Sequence, residues 1–435
     1  MFQRERAFDR LFVFDHGLGN LPGHWVNYHR AIVEESRRRG LDPHIFGYKQ
    51  IDTGLVGDLP ATPLFEHGPG AAPGSDLRSN HRLRNQAFLA DLGKLDLRDY
   101  GPRDIFLFPS VQNYELEAVL AFSARFEAGR KPAFLVLFQF DNGLAAPELP
   151  DLPPLVRFDR WLKARVAPRV PVCGSDVADL YRQCPRAVPR RSSQRRLVFM
   201  APSGGLDDAF ARLLRREVRS FCMPVSIPGY LQPWAKDGTA DIGDRGSGLT
   251  VGFLGHSCAR KGLPLLPGIV RAIRSRRDDV RFEIQVNNYL PAQPHAASFT
   301  RLFSSDVPGV VYHRGHFDRD QYFSLLSRTD IVLLPYDPAV YRYMPSGLLH
   351  EALGAGKVVV VPEGTSLARQ AASVDAGALA FSEFTEESIV DALSRAITSH
   401  AFLREKARAA APRWLRQHNL QAFMDQLLEQ ARRAA

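Results

Sequence analysis

The sequence predicts an α/β protein made of two doubly wound, Rossmann-like domains that face each other across a cleft. Short apolar runs alternate with amphipathic stretches of helix length along most of the chain, and they do so in two series. A stretch rich in Pro, Gly and Asp separates the two series. At 435 residues the chain is also longer than one hydrophobic core usually supports.

The first series begins near the N-terminus with a four-residue apolar run. Its predicted strands are LFVF (11–14), PHIFGY (43–48), DIFLFPS (104–110), PAFLVLFQF (132–140) and VPVCGS (170–175). Helical patterns follow several of these strands, which is typical of a parallel sheet covered on both faces. Residues 52–82 contain PGAAPGSD and are predicted to form a long loop or lid.

The second series contains six predicted strands. They are LTVGFLG (249–255), VRFEIQVN (280–287), GVVYHRG (309–315), DIVLLPY (330–336), KVVVVPE (357–363) and ALAFSE (378–383). We therefore predict a first domain over residues 1–225, a linker over 226–248 and a second domain over 249–410. The C-terminal helix, 411–435, is expected to pack back on the first domain.

Composition and charge narrow the class of protein. A hydrophobic content of 45% with 24% charged residues is ordinary for a folded soluble protein. The formal net charge of +9 comes mainly from arginine clusters, which suit an anionic membrane surface or phosphorylated substrates, or form only a solvated face. No basic stripe interleaved with aromatic residues and no zinc-finger spacing occurs, so we predict no nucleic-acid partner.

The cysteines and the apolar segments indicate the compartment. The four cysteines lack a CxxC spacing and are predicted to be free thiols in a reducing environment, with no metal site. The first apolar run is too short for a signal peptide, and no stretch approaches the roughly 20 apolar residues of a membrane span. We expect a cytoplasmic protein, either free or peripheral on the inner face of the membrane.

A glycine-rich turn, DHGLGNLPGHW (15–25), follows the first predicted strand. Gly17, Gly19 and Gly23 allow a ligand to approach the backbone closely, and the following helix start favours negative charge on it. The last spacing is one residue too long for the dinucleotide-binding fingerprint. The turn is therefore predicted to be an acceptor-side loop, with a plain tight turn as the alternative.

Three residues that follow predicted strands of the first domain are candidates for catalysis or acceptor binding. His16 and His24 flank the glycine turn, and Asp141 follows the strand PAFLVLFQF. An acid at the carboxyl end of a strand can act as a general base or orient a sugar hydroxyl. We assign His24 and Asp141 to catalysis and His16 to the acceptor side. The alternatives are a hydrogen-bonded loop histidine and an ordinary Asp-Asn-Gly turn.

Basic residues follow the first strand of the second domain. The strand ends at Gly255, and Arg260 and Lys261 stand at the entry of the next helix. A guanidinium and an ammonium beside helix N–H groups suit a diphosphate. An exposed Arg-Lys pair also occurs without function.

A short helix that starts at Ser346 and Gly347 offers a second anion site. Serine is a good N-cap, and glycine leaves the first helical N–H groups open to a ligand. Glu351 lies about one turn further and can accept hydrogen bonds from a pair of ribose hydroxyls. Thr365 begins another helix and adds donors. An ordinary helix cap is the alternative.

These motifs resemble the nucleotide-sugar domain of GT-B glycosyltransferases, in particular those of glycosyltransferase family 4 (group 1). VGFLGHSCARKGLPLLPGIVRAI and YFSLLSRTDIVLLPYDPAVYRYMPSGLLHEALGAGKVVVVPEGTSLA carry the resemblance, and GHWVNYHRAIVEESRRRGLDPHIF is similar to the start of the acceptor domain. The resemblance implies a metal-independent, hexosyltransferase-like enzyme of bacterial polysaccharide biosynthesis. It would move a sugar from a nucleotide diphosphate to a glycan, lipid-linked or other acceptor, without a cofactor.

The resemblance also assigns roles to single residues. It implies that Arg260 and Lys261 hold the donor diphosphate and that Glu351, the second glutamate of an E-x7-E pair, binds the ribose. Tyr343 stands where the first glutamate of that pair would lie, against the transferred sugar. The stereochemical outcome and the sugar are therefore open. An epimerase of the same fold and a catalytically silent scaffold that binds sugar nucleotides remain alternatives.

Overall fold

A computed structural model describes residues 7–19, 24–51, 57, 59–68, 77–139, 174–184, 196–232, 248–286, 307–315 and 317–435. The chain divides into two compact units. Met1–Cys222 and Leu420–Ala435 form the first unit, and Met223–Asn419 forms the second. Of the predicted linker, residues 233–247 lie outside the described part. No helix within the described ranges combines the length and the apolar character that a membrane span requires.

A parallel sheet of seven strands organises the first unit. The strands are β1 (Arg10–Phe14), β2 (Asp42–Tyr48), β3 (Ala61–Phe65), β4 (Asp104–Phe108), β5 (Ala133–Leu137), β6 (Leu197–Pro202) and β7 (Val218–Phe221). Their order is β3-β2-β1-β4-β5-β6-β7, and all neighbours are parallel. The strand order reverses between β1 and β4, so the switch point of a doubly wound sheet lies there.

The second unit contains a parallel sheet of six strands. They are β8 (Leu249–Phe253), β9 (Val280–Val286), β10 (Val310–Arg314), β11 (Ile331–Leu333), β12 (Val358–Pro362) and β13 (Ala378–Phe381). The order β10-β9-β8-β11-β12-β13 repeats the pattern of the first unit, with its switch point between β8 and β11. All six predicted strands and the α/β fold class of two Rossmann-like domains are confirmed.

Helices precede or follow most strands of the two sheets. Within the described residues they are α1 (His24–Arg38), α2 (Leu77–Leu92), α3 (Asn113–Ser123), α4 (Gly174–Gln183), α5 (Leu206–Leu214), α6 (Leu266–Arg274), α7 (Arg319–Arg328), α8 (Pro338–Tyr341), α9 (Gly347–Gly354), α10 (Ser366–Ser373), α11 (Glu386–Thr398), α12 (His400–Gln417) and α13 (Leu420–Ala434). Helix α13 belongs to the first unit, where Asp425 pairs with Arg39 at 2.5 Å.

The run of four valines in β12 shows why the second sheet was readable from the sequence. Val358 and Val360 belong to one buried hydrophobic cluster, and Val359 and Val361 belong to another. Side chains alternate between the two faces of a strand, so both faces of β12 are covered. A strand buried on both faces reads as a continuous apolar run.

Two predictions about the first unit were wrong or only partly testable. Residues 52–82 do not form one long loop, because they include β3 and the start of α2. The β3 sequence, ATPLF, contains Pro63 and is short, so its strand character was weak. In the predicted strand VPVCGS, Gly174 and Ser175 begin α4, and residues 170–173 lie outside the described part.

Candidate functional site

The loops that follow β8 and β11 pack against each other at the switch point of the second sheet. Gly262 has φ +78°, and a Cβ atom there would lie 2.0 Å from the carbonyl oxygen of Pro335. Only glycine suits this backbone, because it tolerates positive φ and has no side chain to collide. The amide of Asp337 then donates to the carbonyl of Arg260 at 3.0 Å. The contact fixes the Arg260–Lys261 turn beside the loop after β11.

Lys261 carries a partly buried ammonium at this switch point. Its Nζ atom lies 5.1 Å from the centroid of the Tyr336 ring, so the aromatic face is its neighbour. Burial lowers the pKa of Lys261. A carboxylate that formed a close ion pair would offset this effect, and a bound anion would do the same. At the end of β8, the amide of Gly255 donates to Gln285 Oε1 at 2.8 Å.

The start of α9 has open space beside Gly347. Ser346 is the N-cap, and its Oγ accepts a hydrogen bond from the Leu349 amide at 3.3 Å. A Cβ atom added at Gly347 would meet no atom within 4 Å. The helix therefore begins with N–H groups that a ligand can approach, and such a terminus favours an anion.

Glu351 lies on α9, and its carboxylate has a tyrosine partner. The Tyr322 hydroxyl of α7 donates a short hydrogen bond to Glu351 Oε2. Burial raises the pKa of Glu351 to about 7, although Tyr322, Arg319 and Lys261 act in the opposite direction. Helix α7 begins at Asp318, which forms a capping box with Gln321. Asp318 is thus the N-cap of α7.

The corresponding edge of the first sheet contains a buried histidine and a carboxylate. Nδ1 of His16, just after β1, is 2.6 Å from Glu115 Oε1 at the start of α3. Burial acts to lower the pKa of His16, but the charges of Glu115 and Asp15 outweigh it and raise that pKa. The other Glu115 oxygen accepts from the Gln112 amide at 2.5 Å. Nε2 of His16 lies 3.4 Å from the Tyr114 hydroxyl.

A second carboxylate and histidine pair joins the same loop to α1. Asp15 Oδ2 is 2.7 Å from His29 Nε2, and Asp15 Oδ1 accepts from the Gly17 amide at 2.8 Å. Burial acts to raise the pKa of Asp15, yet His29, His16 and the Gly17 amide lower it. Gly19 packs against Tyr48, and a Cβ atom there would lie 3.1 Å from the tyrosine ring. Gly17 and Gly19 therefore also have structural roles.

Comparisons with known proteins identify the architecture. Residues 267–429 match a family described as Glycosyl transferase-like. The whole chain is similar to sucrose-phosphate synthase from Thermosynechococcus elongatus, with a TM-score of 0.67 and 15% identity over 98% of this chain and 100% of that one. The whole chain has the GT-B fold. A sequence search of curated proteins finds no match.

Two further solved structures resemble this chain. A UDP-forming trehalose-phosphate synthase from Burkholderia xenovorans has a TM-score of 0.61 and 13% identity, and covers 98% of this chain and 99% of that one. HepE from Anabaena, solved in complex with UDP and glucose, has a TM-score of 0.58 and 12% identity, and covers 97% and 98%. The predicted GT-B fold is confirmed, residues 267–429 match a glycosyltransferase family, and family 4 in particular stays a prediction.

Tyr343 and Thr365 have neighbours within the second unit that explain their positions. The guanidinium groups of Arg342 and Arg369 lie 5.5 and 5.9 Å from the centroid of the Tyr343 ring. Thr365 is buried and is the N-cap of α10, and its hydroxyl donates to the Pro362 carbonyl at 2.7 Å. The hydroxyl is therefore engaged within the fold. A ligand role for either residue stays a prediction.

Several predicted residues cannot be placed, and several others were missed. Gly23 and Asp141 lie outside the described residues, and His24 is the first residue of α1 with a side chain outside the described part. Tyr322 and Glu115 were not predicted as site residues from the sequence. Glu115 belongs to a capping box with Gln112, a pattern that marks a helix start and carries no sign of a histidine partner.

Proposed function

We propose that the chain transfers a sugar from a nucleoside-diphosphate sugar, bound by the second unit, to an acceptor bound by the first. One observation carries the donor assignment. A partly buried lysine, an open helix start and a carboxylate meet at the switch point where doubly wound sheets bind nucleotides. A diphosphate and a ribose on one ligand match this set of groups.

Lys261 and the α9 start would bind the diphosphate. Negative charge develops on the diphosphate as the glycosidic bond breaks, so groups that bind it more tightly at that moment accelerate the reaction. Arg260, next to Lys261, adds a guanidinium that can contact two oxygens at once. We propose that these groups suffice, and that the reaction needs neither a metal ion nor a cofactor at the donor site.

Glu351 would bind the ribose. An ionised carboxylate accepts two hydrogen bonds, and the two ribose hydroxyls can donate them. The Tyr322 hydroxyl holds one carboxylate oxygen and so orients the group. Because Tyr322 and Glu351 lie on different helices, α7 and α9, the pair fixes the ribose site relative to the rest of the unit.

The acceptor side is proposed to lie at the first switch point. His16, Gly17, Gly19 and Gly23 form the acceptor-side loop, and His24 and Asp141 are the proposed catalytic residues. A glycan or a lipid-linked acceptor suits a basic first unit, and we propose a cytoplasmic enzyme that can associate with the inner face of an anionic membrane. Arg37, at the end of α1, is exposed, whereas Arg39 is engaged by Glu35 and Asp425.

A thermal-shift screen against UDP-, GDP-, ADP- and dTDP-sugars tests the donor assignment. A transferase should be stabilised by one nucleotide class and should release the corresponding nucleoside diphosphate slowly with water as acceptor. Release of the diphosphate with formation of a new sugar without any acceptor would indicate an epimerase. Stabilisation without any release would indicate a binding scaffold, the second candidate, which Tyr343 at the place of a family glutamate favours. No stabilisation by any donor would contradict the proposal.

A further inference from the structure

Three helices of the first unit bring a nitrogen, an oxygen and a sulfur atom together. His81 on α2, Glu117 on α3 and Cys184 directly after α4 each offer one ligand atom, and these atoms lie within 4.8 Å of one another. His81 Nε2 is 3.1 Å from Glu117 Oε2. His81 and Cys184 are buried, and Glu117 is partly exposed, so an ion can reach the group from the side of the carboxylate.

We propose that His81, Glu117 and Cys184 bind one zinc ion. Imidazole nitrogen, carboxylate oxygen and thiolate sulfur are all ligands of zinc, a borderline-soft divalent ion that prefers four ligands in a tetrahedron. Zinc bonds of about 2.0–2.3 Å require ligand atoms closer together than 4.8 Å, so small rotations about side-chain bonds must complete the site. A water molecule is the fourth ligand.

Asn113 contacts two of the three proposed ligands, and its side chain can orient one of them, His81. Its side-chain nitrogen is 2.9 Å from His81 Nδ1, and its backbone carbonyl accepts from the Cys184 thiol at 3.4 Å. When a metal takes Nε2 of a histidine, the ring proton sits on Nδ1 and needs an acceptor. The Asn113 amide can offer its oxygen to that proton by turning over, which would keep the ring oriented toward the ion.

Zinc binding changes the protonation of Cys184. In the metal-free protein the single S–H proton of Cys184 is shared between the Leu180 carbonyl at 3.1 Å and the Asn113 carbonyl at 3.4 Å. A metal ligand must be the thiolate. The S–H bond therefore breaks as the Zn–S bond forms, and the proton passes to the solvent. Each zinc ion bound should release one thiol proton into a weakly buffered solution.

The proposed zinc site is separate from the donor site in chemistry and in sequence. Its ligands come from α2, α3 and the end of α4, all in the first unit, whereas Lys261 and Glu351 belong to the second. The inference does not depend on the proposed glycosyl transfer. A zinc ion held by three helices would tie those helices together, and the expected benefit is a higher melting temperature of the metal-bound protein.

Cobalt titration of the full chain tests the site, because Co²⁺ replaces zinc and its thiolate complex absorbs in the near ultraviolet. We expect one Co²⁺ per chain, a thiolate-to-metal band, and displacement of that band by one equivalent of Zn²⁺. Cys184→Ser should abolish the band, and His81→Gln should weaken Co²⁺ binding by about tenfold or more. Cys222→Ser, which changes another thiol of the same unit, should leave both unchanged.

Melting curves without metal show whether each variant is folded before its titration is interpreted. If Cys184→Ser fails to fold, His81→Gln and Cys184→Ala decide the question in its place. The proposal is overturned by a wild-type protein that binds no Co²⁺, by a thiolate band that persists without Cys184, or by a band that disappears in Cys222→Ser. Lys261→Ala should bind Co²⁺ as the wild type does.

Discussion

In the first unit the loop after β1 carries Asp15 and His16, and each is paired with a partner of the opposite type at 2.7 and 2.6 Å. In the second unit the loop after β8 carries Lys261, whose ammonium lies over the ring of Tyr336. Both loops occupy the same place in the same strand order. Topology therefore fixes where the polar groups stand and leaves open how their charges are balanced.

The two ways of balancing charge have different consequences. A histidine that pairs with a buried carboxylate keeps its charge within the fold, so substitution of either residue should mainly lower stability. A lysine against an aromatic ring keeps its positive charge available to an anion, so substitution of the lysine should mainly lower the affinity for an anionic ligand. The contrast predicts that variants of the two sites separate into stability effects and affinity effects.

The largest effect is expected from Glu115→Ala in the first unit. Removal of one partner of a buried pair costs about 3–5 kcal/mol, and the α3 capping box is lost as well. The folded-state pKa of His16 lies above the ordinary value of about 6.5, so the pair stabilises the fold below that pH. This contribution is lost as the pH rises through the folded-state pKa. Urea unfolding at pH 6 should therefore show a larger loss than at pH 9.

Glu115→Gln is the matched variant for this experiment. The amide oxygen can still accept from the Gln112 backbone, but it carries no charge to hold the imidazolium. We expect a smaller loss of unfolding free energy than for Glu115→Ala. In Glu115→Gln the contact between residues 16 and 115 should contribute no more to the unfolding free energy at pH 6 than at pH 9. Equal losses for Glu115→Ala at both pH values would show that the charge of His16 does not stabilise the first unit.

The second largest effect is expected on donor affinity from Lys261→Ala and Glu351→Ala. Each removes one charged hydrogen bond to the ligand, which is worth about 1.5–3 kcal/mol, or roughly a tenfold or greater loss of affinity. Calorimetry with the nucleoside diphosphate that the screen identifies measures it. Lys406→Ala is the control, because Lys406 pairs with Asp375 at 2.5 Å in the same unit. Unchanged affinity in both site variants would remove the donor-site assignment.

The contrast between the units also marks what the sequence could predict. The second sheet and the Ser346 cap were readable because buried parallel strands and N-caps are local patterns. The partner of Glu351 was not readable, because Tyr322 lies 29 residues away on another helix and is an ordinary aromatic residue in the sequence. The His16–Glu115 pair was missed for the same reason, since only the fold brings the loop after β1 and the start of α3 together.

The third prediction concerns the pH dependence of donor binding. Glu351 has a pKa of about 7, and only the ionised carboxylate accepts both ribose hydrogen bonds. The affinity of the wild type should therefore be about tenfold weaker at pH 6 than at pH 8, because the competent fraction falls by that factor. Glu351→Gln keeps the shape and has no such titration. The phosphate of the ligand ionises equally in both proteins. The difference in pH dependence between the wild type and Glu351→Gln therefore reports the ionisation of Glu351.

The smallest effect is expected at the membrane surface, where the units should differ again. Arg37 is exposed at the end of α1, whereas Arg39 already contacts Glu35 at 2.6 Å and Asp425 at 2.5 Å. A free arginine near an anionic surface contributes about 1 kcal/mol, and a paired one contributes less because its charge is already balanced. Arg37→Ala should therefore weaken co-sedimentation with anionic vesicles more than Arg39→Ala does.

Arg271→Ala is the control for that experiment, since Arg271 is exposed on α6 of the second unit. Arg190 and Arg191 belong to one of the arginine clusters in the sequence of the first unit. They lie outside the described residues and can be changed together as a further test. The attraction should fade between about 0.1 M and 1 M salt, as the Debye length falls from about 10 to 3 Å. Equal binding to neutral and anionic vesicles, or a loss in Arg271→Ala as large as that in Arg37→Ala, would mean that the first unit carries no dedicated membrane surface. The acceptor would then be sought among soluble glycans.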